Sequence, residues 1–427
     1  MPLPPVPPKH RLPLAALAAL TCLCCETTNA QDSAAVSAPQ TAPELEFTFG
    51  PLHLHPRATI GVTADDNLLF SAANQKSDIY ESIQPGFQAV LGDDAALVSL
   101  RDQHIDPLYL SPGNLIVQSP DMWLGRTALL EYTPRFKFYD QYSTYNAIDE
   151  FATLNVLWPM SKLILGFRQD YQLVEGTIIE ASQFTTSETI DTALSAAYQF
   201  GDKSSLESNF RRNSVSYDAT GLTGYTEYNT EDWFNYNLTG SMPVSLGVLA
   251  GYDAVDASNQ DQTYEQLRAR ARYSLSEKVS FDASVGGEVR QYENGRSDTI
   301  TPVFTLTGAY RPTERTSVTL TGYRQPYAAV FNGYNYISTG ATLGISQGIT
   351  DRFTATASIG YYTIDYESVT RTVANYTDDY YTGRISLDAR ILRHLVGQVY
   401  YAVTHIQSAI GSDRDDNQIG VNLTLAY

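Results

Sequence analysis

Hydrophobic and polar residues alternate along much of this chain, most clearly in its final segment. Residues 418–427, QIGVNLTLAY, place an apolar residue at every second position, with Gln, Gly, Asn, Thr and Ala between them. This period of two is that of a β-strand with two different faces. Because the polar face carries small, hydroxyl, amide and arginine side chains and no second apolar core, the pattern predicts a sheet closed around water with lipid outside.

Strand-like segments recur from residue 47 onward, joined by connections of alternating length. Tight turns are predicted at 159–161 and 312–315, and longer polar loops at 175–187 and 363–379. The fold class predicted is an all-β, transmembrane, antiparallel up-and-down β-barrel of about 18 strands (16–18), with the short turns in the periplasm and the long loops outside the cell. Residues 47–427 would form this single domain.

One internal stretch departs from the pattern. Residues 93–124 contain His104, Pro107, Pro112-Gly113 and Pro120, which break any regular period. We predict a periplasmic excursion after the second barrel strand, and an extra hairpin is the alternative.

The N-terminal residues predict export. Lys9 to Arg11 form a short basic region, an apolar stretch follows to Cys25, and Thr28-Asn29-Ala30 offers a cleavage site, so residues 1–30 are predicted to be a secretory signal peptide. All three cysteines lie inside it, and a lipoprotein anchor is the competing interpretation. Residues 31–46 are small, polar and proline-containing, and we expect a periplasmic linker there.

Composition narrows the class of protein. A formal net charge of −19 argues against nucleic-acid binding. No segment after the signal has the apolar length of a transmembrane helix, so a helical membrane protein is excluded. These observations predict the bacterial outer membrane as the location, with membrane lipid and lipopolysaccharide as partners.

Basic residues collect on the polar faces of the predicted strands, whereas acidic residues cluster in or beside the loops. Arg268, Arg270 and Arg272 share one face of a single strand. The set of predicted pore-lining residues is Arg57, Arg135, Lys137, Arg168, Arg211, Arg268, Arg270, Arg272, Arg290, Arg384 and Arg390. These side chains could form an anion path. Alternatively, they could pair with inward carboxylates such as Glu131, Asp191 and Glu207 in a wall lattice.

Tyrosine is abundant, with 30 residues in the chain. Those at predicted strand ends and loops are Tyr139, Tyr142, Tyr145, Tyr225, Tyr228, Tyr323, Tyr327, Tyr334, Tyr336, Tyr361, Tyr362, Tyr366, Tyr376, Tyr380 and Tyr381. Most are expected to form an interfacial girdle at the level of the lipid headgroups. A minority could stack against sugar rings at the pore mouth, and the candidates are Tyr142, Tyr145, Tyr334 and Tyr336.

Motifs for catalysis, metals and cofactors are not found in the sequence, and none of these is predicted. The nearest approach to a metal site is the loose acidic group Asp413, Asp415, Asp416 and Asn417, for which solvated loop charge is the simpler interpretation. A hydrolase at the barrel rim would need His405, the histidine best placed for it.

Three runs carry a resemblance to a known family: Ile60-Gly61-Val62-Thr63-Ala64-Asp65-Asp66-Asn67-Leu68, then Ser77-Asp78 with Ile83-Gln84-Pro85-Gly86-Phe87, then Leu130-Glu131-Tyr132-Thr133-Pro134. With these runs the chain resembles the beta-barrel porin type 2 family of outer-membrane proteins. The resemblance implies an outer-membrane barrel, some of whose relatives are associated with exopolysaccharide or capsule production.

The leading functional hypothesis is therefore a pore that passes or assists export of a hydrophilic substrate. The expected substrate is a surface polysaccharide, and periplasmic export components are expected as further partners. A general diffusion porin for small solutes is the first alternative. It predicts a long inward-folded constriction loop, whereas none of the predicted loops stands out in length. A structural or adhesive surface barrel with an occluded lumen is the second.

Overall fold

The computed structural model describes residues 47–92, 125–201, 203–238, 244–257, 261–276, 278–293, 298–328, 334–368 and 374–426. The predicted signal peptide (1–30), the predicted linker (31–46) and the irregular stretch 93–124 lie outside these residues. Within the described ranges, no helix has the length and apolar character needed to cross a bilayer.

Nineteen β-strands make up almost all of the described chain, with a single short 3-10 helix at Ser143–Tyr145 among the described residues. The strands are β1 Phe47–Phe49, β2 Leu52–Asp65, β3 Asp78–Leu91, β4 Thr127–Tyr139, β5 Ala147–Pro159, β6 Leu163–Ile178, β7 Gln183–Gln199, β8 Ser204–Tyr217, β9 Tyr225–Asn237, β10 Val244–Ala257, β11 Gln262–Ser276, β12 Val279–Tyr292, β13 Thr299–Thr313, β14 Thr316–Ala328, β15 Tyr334–Gly348, β16 Phe353–Ser368, β17 Tyr376–Leu392, β18 Leu395–Ser408 and β19 Arg414–Ala426.

Every strand from β2 to β19 pairs antiparallel with its neighbours in the chain, and β19 pairs with β2 to close the sheet. Val421 lies opposite Val62 at this seam. The three-residue β1 pairs with the first residues of β2, beyond the point where β19 ends. The result is a closed barrel of eighteen strands, which confirms the predicted fold class and strand number. Closure matters because it leaves no unpaired sheet edge.

The two ends of the barrel differ in their connections. One end, called here the turn end, carries β1 and short turns such as 314–315 and 393–394. The opposite loop end carries connections such as 66–77 and 369–375. The loop predicted at 175–187 is wrong in extent, because β6 continues to Ile178 and β7 begins at Gln183. The apolar alternation stops before the strands do, since backbone pairing continues beyond the apolar band.

Side chains alternate between the outer and inner faces along each strand. On the outer face, Leu267, Ile300 and Ile359 are 65%, 79% and 64% exposed. On the inner face, Ile364 and Ile406 are both fully buried. The apolar outer face is the surface expected to meet lipid. The buried side chains lie inside the barrel, and this interior is where a functional site must be sought.

Candidate functional site in the barrel interior

Strand β11 shows how the sequence places chemistry on the inner wall. Its alternate residues Tyr264, Gln266, Arg268 and Arg270 are 4%, 5%, 7% and 8% exposed, whereas the intervening Leu267 is 65% exposed. In a closed barrel every second side chain of a strand points inward. Arg268, Arg270 and Arg272 are alternate residues of β11, so all three enter the lumen. By the same alternation, all eleven basic residues predicted as pore-lining lie on the inner face.

Arg270 and Arg272 are part of a network that we call the ion-pair belt, made of Glu207, Trp233, Asn235, Arg270, Arg272 and Asp282. Arg270 donates to both carboxylate oxygens of Glu207 at 3.0 and 3.1 Å and to Asn235 Oδ1 at 2.6 Å. Its guanidinium carbon lies 4.0 Å from the centre of the Trp233 ring. Arg272 donates to Asp282 at 2.6 Å and to Glu207 at 3.3 Å. The positive charges of Arg270 and Arg272 are thus balanced by the negative charges of Glu207 and Asp282.

The reach from Arg270 to Glu207 depends on a glycine. These residues lie on β11 and β8, three strands apart, and neighbouring strands are about 4.8 Å apart. A Cβ at Gly247, on the intervening β10, would lie 2.7 Å from Asn235 Oδ1 and 3.3 Å from the Trp233 ring. Because glycine leaves this space open, Trp233 and Asn235 lie over β10, where Arg270 can contact both.

Most of the other predicted pore-lining residues are also paired. Arg135 and Lys137 share the fully buried Asp149, at 2.8 and 3.1 Å. The further ion pairs are Arg57–Glu131, Arg168–Asp170 at 2.9 Å, Arg211–Asp191 at 2.6 Å and Arg290–Glu288 at 2.7 Å. Arg384 lies over the Tyr400 ring at 4.2 Å, and Arg390 follows on the same face of β17. This geometry is the wall lattice, the alternative left open by the sequence, and not an unpaired basic path.

The loop end of the interior has a different chemistry. Eight buried apolar and aromatic side chains meet there and are called the loop-end cluster: Phe70, Ile179, Tyr327, Tyr336, Ile364, Tyr366, Tyr380 and Ile406. The last four project inward from β16, β17 and β18. Phe70 and Ile179 come from connections between strands on the other side of the β2–β19 seam. Tyr380 is 1% exposed, so water is excluded from the centre of this cluster.

Phe70 reaches the cluster because the connection 66–77 folds into the barrel. Asn67 fixes the start of this connection by donating to the Asp415 carbonyl at 2.6 Å and accepting from the Ser71 amide at 2.9 Å. Phe70 itself adopts a positive φ of 51°, a left-handed conformation that non-glycine residues rarely adopt. The surrounding contacts hold the backbone in this conformation and direct the ring inward.

The β6–β7 hairpin, three strands from β3 in the wall, anchors the same connection. Thr177 donates to the Leu68 carbonyl at 2.6 Å, and Ser182 donates to the Phe70 carbonyl at 2.8 Å. Arg414, on β19, donates to the Ile179 carbonyl at 2.9 Å. Because β6 and β19 lie well apart in the barrel wall, this contact shows that the hairpin tip extends across the interior.

A third element enters from β14 and β15. The pairing of β13 with β14 ends at Phe304 and Arg324 on the loop side, whereas β14 and β15 stay paired to Ala328. Beyond Arg324 the paired ends of β14 and β15 approach β11, where Asn335 and Gln262 exchange side-chain hydrogen bonds at 3.0 and 3.2 Å. Three segments from different parts of the chain therefore narrow the lumen at the loop end.

A small cavity of about 50 Å³ lies against Phe70 and Ile179. Its polar lining includes Arg135 and Lys137 on one wall and the carboxylates of Asp65 and Asp416 on another. Gln418 donates to Asp65 at 3.1 Å and to Asp416 at 2.9 Å. The space has room for only a few water molecules.

The burial of the tyrosine rings differs most from what the sequence predicts. Only Tyr228, Tyr361 and Tyr381 of the predicted girdle residues have rings that are strongly exposed on the outer face, at 42%, 45% and 43%. The girdle assignment is wrong for Tyr139, Tyr327, Tyr336, Tyr366 and Tyr380, which are buried inside the barrel. The signal was present in Tyr361-Tyr362 and Tyr380-Tyr381, because adjacent tyrosines in a strand must face opposite sides.

Burial also limits the predicted sugar-stacking residues. Tyr336 is 4% exposed and belongs to the loop-end cluster, with Tyr334 packed against it. In this conformation neither ring offers a free face. Tyr142 and Tyr145 lie near the loop end, where Lys76 Nζ approaches the two ring centres to 5.1 and 5.3 Å. Sugar stacking stays a prediction for this second pair.

The residues considered for hydrolysis and for metal binding do not form a common site in the interior. His405 Nδ1 contacts Asp415 at 2.5 Å on the outer face, beside the ring of Tyr381. Asp416 faces inward and Asn417 bonds to Asp66, so the acidic residues considered for a metal diverge. Among the residues that the structure describes, no group of three histidines, cysteines or carboxylates is placed to hold a metal ion.

The C-terminal part of the barrel matches a known protein family. Residues 249–427 match the family model described as "Putative beta-barrel porin 2". The family resemblance is thus confirmed, over residues C-terminal to the runs that first suggested it. No curated protein matches the chain. With the closed barrel, the family match describes an outer-membrane β-barrel of porin type.

Several solved structures from Pseudomonas aeruginosa are similar in fold. The outer membrane protein opdK is 10% identical over 88% of this chain and 99% of that chain, with a TM-score of 0.44. OccK2 (OpdF) is 9% identical over 90% and 100% of the two chains, with a TM-score of 0.46. The siderophore receptor PirA is 9% identical over 88% and 80%, with a TM-score of 0.41.

Proposed function

We propose that this chain is a general diffusion porin of the bacterial outer membrane, passing small hydrophilic solutes through a lumen constricted at the loop end. The observation that carries the proposal is the inward fold of the connection 66–77, which places Phe70 among buried side chains from β16 to β18. A general diffusion porin is expected to have an inward-folded constriction loop, and the connection 66–77 between β2 and β3 folds inward in this way. The polar inner wall provides the path on the other side of this constriction.

The burial of the loop-end cluster favours small solutes over a polymer. The cavity beside Phe70 measures about 50 Å³. A polysaccharide chain would need a continuous opening through the level of the loop-end cluster, whereas a small solute needs only local displacement of the connection. Two of the four tyrosines considered for sugar stacking are also buried or packed in that cluster. The contacts therefore support the porin more than polysaccharide export.

The same proposal assigns an orientation. We place the loop end outside the cell and the turn end, with β1, in the periplasm, as the alternation of connections predicts. Membrane lipid would surround the apolar outer face, and lipopolysaccharide would meet the acidic connections at the loop end. A cleaved signal peptide at residues 1–30 would deliver the chain to this membrane.

The test is solute flux. Purified protein is reconstituted in liposomes, and swelling rates are measured with a series of sugars of increasing size, alongside single-channel recordings in planar bilayers. We expect conductance and a steep decline of swelling from monosaccharides to trisaccharides. Rapid passage of long oligosaccharides would contradict a small-solute porin and favour the export pore.

A closed structural barrel is the second candidate, and the burial of the loop-end cluster is the observation that favours it. Tyr380, Ile364 and Ile406 are 1%, 0% and 0% exposed, so this level is sealed in the conformation described. A porin must open here transiently. Absence of conductance in the wild type, together with conductance once the connection 66–77 is shortened, would identify a sealed barrel.

A further inference from the structure

Arg268 differs from the other arginines of its strand. Arg270 and Arg272 each contact carboxylates within the ion-pair belt, at 3.0 and 2.6 Å. Arg268, two residues toward the loop end, makes no hydrogen bond or ion pair with any residue that the structure describes. Its side chain is 7% exposed, and its Nε is buried without an acceptor. A buried donor without an acceptor costs free energy, so a ligand that accepts a hydrogen bond from Arg268 would gain by pairing with it.

The positions directly opposite Arg268 on the two neighbouring strands carry no acceptor side chain. Its register partners are Leu249 on β10, which is fully buried, and Gly286 on β12. A Cβ at Gly286 would collide with the backbone of Leu267, so glycine is required for the close approach of β11 and β12. This glycine leaves the position opposite Arg268 on β12 without a side chain that could pair with the guanidinium.

A second unpaired polar atom lies next along β11. Gln266 donates its Nε2 to Glu288 at 2.8 Å, while its Oε1 is buried without a donor among the described residues. Glu288 also accepts a hydrogen bond from Arg290 Nε at 2.7 Å. Each of its two oxygens therefore accepts one hydrogen bond, and its charge also attracts Arg268. Two arginines, Arg268 and Arg290, thus face one carboxylate, so this part of the wall carries a net positive charge.

We propose that Arg268 and Gln266 form an anion subsite in the lumen for a small hydroxylated carboxylate. The guanidinium would donate to the carboxylate, and Gln266 Oε1 would accept a hydrogen bond from the ligand hydroxyl. This subsite rests on the proposed function, since it names the solute class that the porin would favour. Planar, two-pronged recognition of carboxylates is the chemistry to which arginine is best suited.

Arg268 and Gln266 together would select hydroxy acids over simple carboxylates. Two donors beside one acceptor match a hydroxy acid, whereas chloride or a simple carboxylate would leave Gln266 Oε1 unsatisfied. A site built to hydrogen-bond a hydroxyl discriminates against analogues that lack it, because its own buried polar atom stays unpaired. Gluconate should therefore bind more tightly than propionate.

The test is equilibrium binding of gluconate to the full chain in detergent micelles, measured by isothermal titration calorimetry. We expect Arg268→Gln to weaken gluconate binding by at least about tenfold, as expected for loss of a charged hydrogen bond. Arg268→Lys keeps the charge without the planar fork and should retain part of the affinity. Far-ultraviolet circular dichroism and heat-modifiable gel mobility confirm that each variant is folded.

The matched control is the double variant Arg211→Gln with Asp191→Asn. It removes an inner-wall arginine together with its carboxylate, which it contacts at 2.6 Å, so the net charge of the lumen is unchanged. We expect wild-type gluconate affinity in this variant. Equal weakening in the double variant and in Arg268→Gln would overturn the subsite, as would no binding by the wild type or unchanged binding by Arg268→Gln and Arg268→Lys.

The porin proposal is judged separately by conductance and liposome swelling. A conducting barrel that does not bind gluconate would overturn the subsite while leaving the porin intact. A barrel that binds gluconate through Arg268 but never conducts would contradict the porin while supporting the anion subsite.

Discussion

The loop-end cluster and the ion-pair belt occupy the same inner face of the same barrel, yet they fill it by opposite means. The cluster brings Phe70, Tyr380 and Ile406 together until no water contacts its centre. The belt keeps charges inside but balances them, with Glu207 held by both Arg270 and Arg272. The difference shows that an inward position in this barrel is not necessarily a wet one.

This contrast assigns a separate task to each region. Apolar contacts have no directional requirement, so the cluster can separate and re-form as the connection 66–77 moves. Ion pairs with good geometry hold their strands in place, and removal of one partner leaves an uncompensated charge. We therefore expect the cluster to control passage and the belt to control the stability and charge preference of the wall.

The largest effect should come from shortening the connection. Replacement of residues 68–74 by a short Gly-Ser linker removes Leu68 and Phe70, which are 6% and 4% exposed. We expect single-channel conductance to increase several-fold, because the segment that fills the loop end is gone. Unchanged conductance would show that the narrowest point lies elsewhere. A Gly-Ser replacement of residues 219–222, which lie in another loop-end connection and include no buried residue, is the control.

Breaking the belt should mainly cost stability. Glu207→Gln leaves Arg270 and Arg272 with one charge fewer to balance them, and we expect the free energy of unfolding to fall by about 3–5 kcal/mol, typical of a broken buried pair. Urea unfolding from lipid vesicles provides the measurement.

The double variant Glu207→Gln with Arg270→Gln should recover part of that loss, since it removes the excess charge. Additive losses in the double variant would mean that Glu207 and Arg270 do not act as a pair.

A smaller effect is expected at the glycine beneath the belt. In Gly247→Ala the new methyl group would lie 2.7 Å from Asn235 Oδ1, displacing the amide from Arg270. The expected loss is about 1–3 kcal/mol in the free energy of unfolding, as for other overpacked sites. Gly287→Ala on the outer face, with nothing within 4 Å of the added atom, is the matched control and should be close to neutral. Equal effects at the two glycines would contradict the packing argument.

The smallest effect should follow loss of one anchor of the connection. Thr177→Val removes the 2.6 Å hydrogen bond to the Leu68 carbonyl, worth about 0.5–1.5 kcal/mol. We expect more frequent brief openings in single-channel recordings with little change in their amplitude. Thr192→Val removes a comparable 3.0 Å bond to Gln169 on the outer wall and should leave the openings unchanged. More frequent openings in both variants would point to general loosening of the barrel.

The fold could be predicted because the period of two is local and repeated. Alternation in β11 alone shows that Arg268, Arg270 and Arg272 share a face, and closure of the barrel makes that face the lumen. The strand ends were less predictable. Polar and aromatic residues near Ile178 and Gln183 end the apolar pattern while backbone pairing continues, which led to loops predicted too long.

The site itself depends on contacts that local patterns do not contain. Glu207 meets Arg270 across three strands, and that partnership requires the register of β8 through β11. The inward course of 66–77 depends on Thr177 and Asp415, which are distant in sequence. Only the side of each tyrosine could have been read from the sequence, since Tyr361-Tyr362 must divide between the two faces.

The central claim is that the loop-end cluster, and not the ion-pair belt, sets the narrowest point of the channel. The most direct measurement compares single-channel conductance and reversal potential in planar bilayers for the wild type, Phe70→Ala and Glu207→Gln. We predict that Phe70→Ala increases conductance with little change in ion preference, while Glu207→Gln shifts the preference toward anions with little change in conductance. The reverse assignment of these two effects would contradict the account.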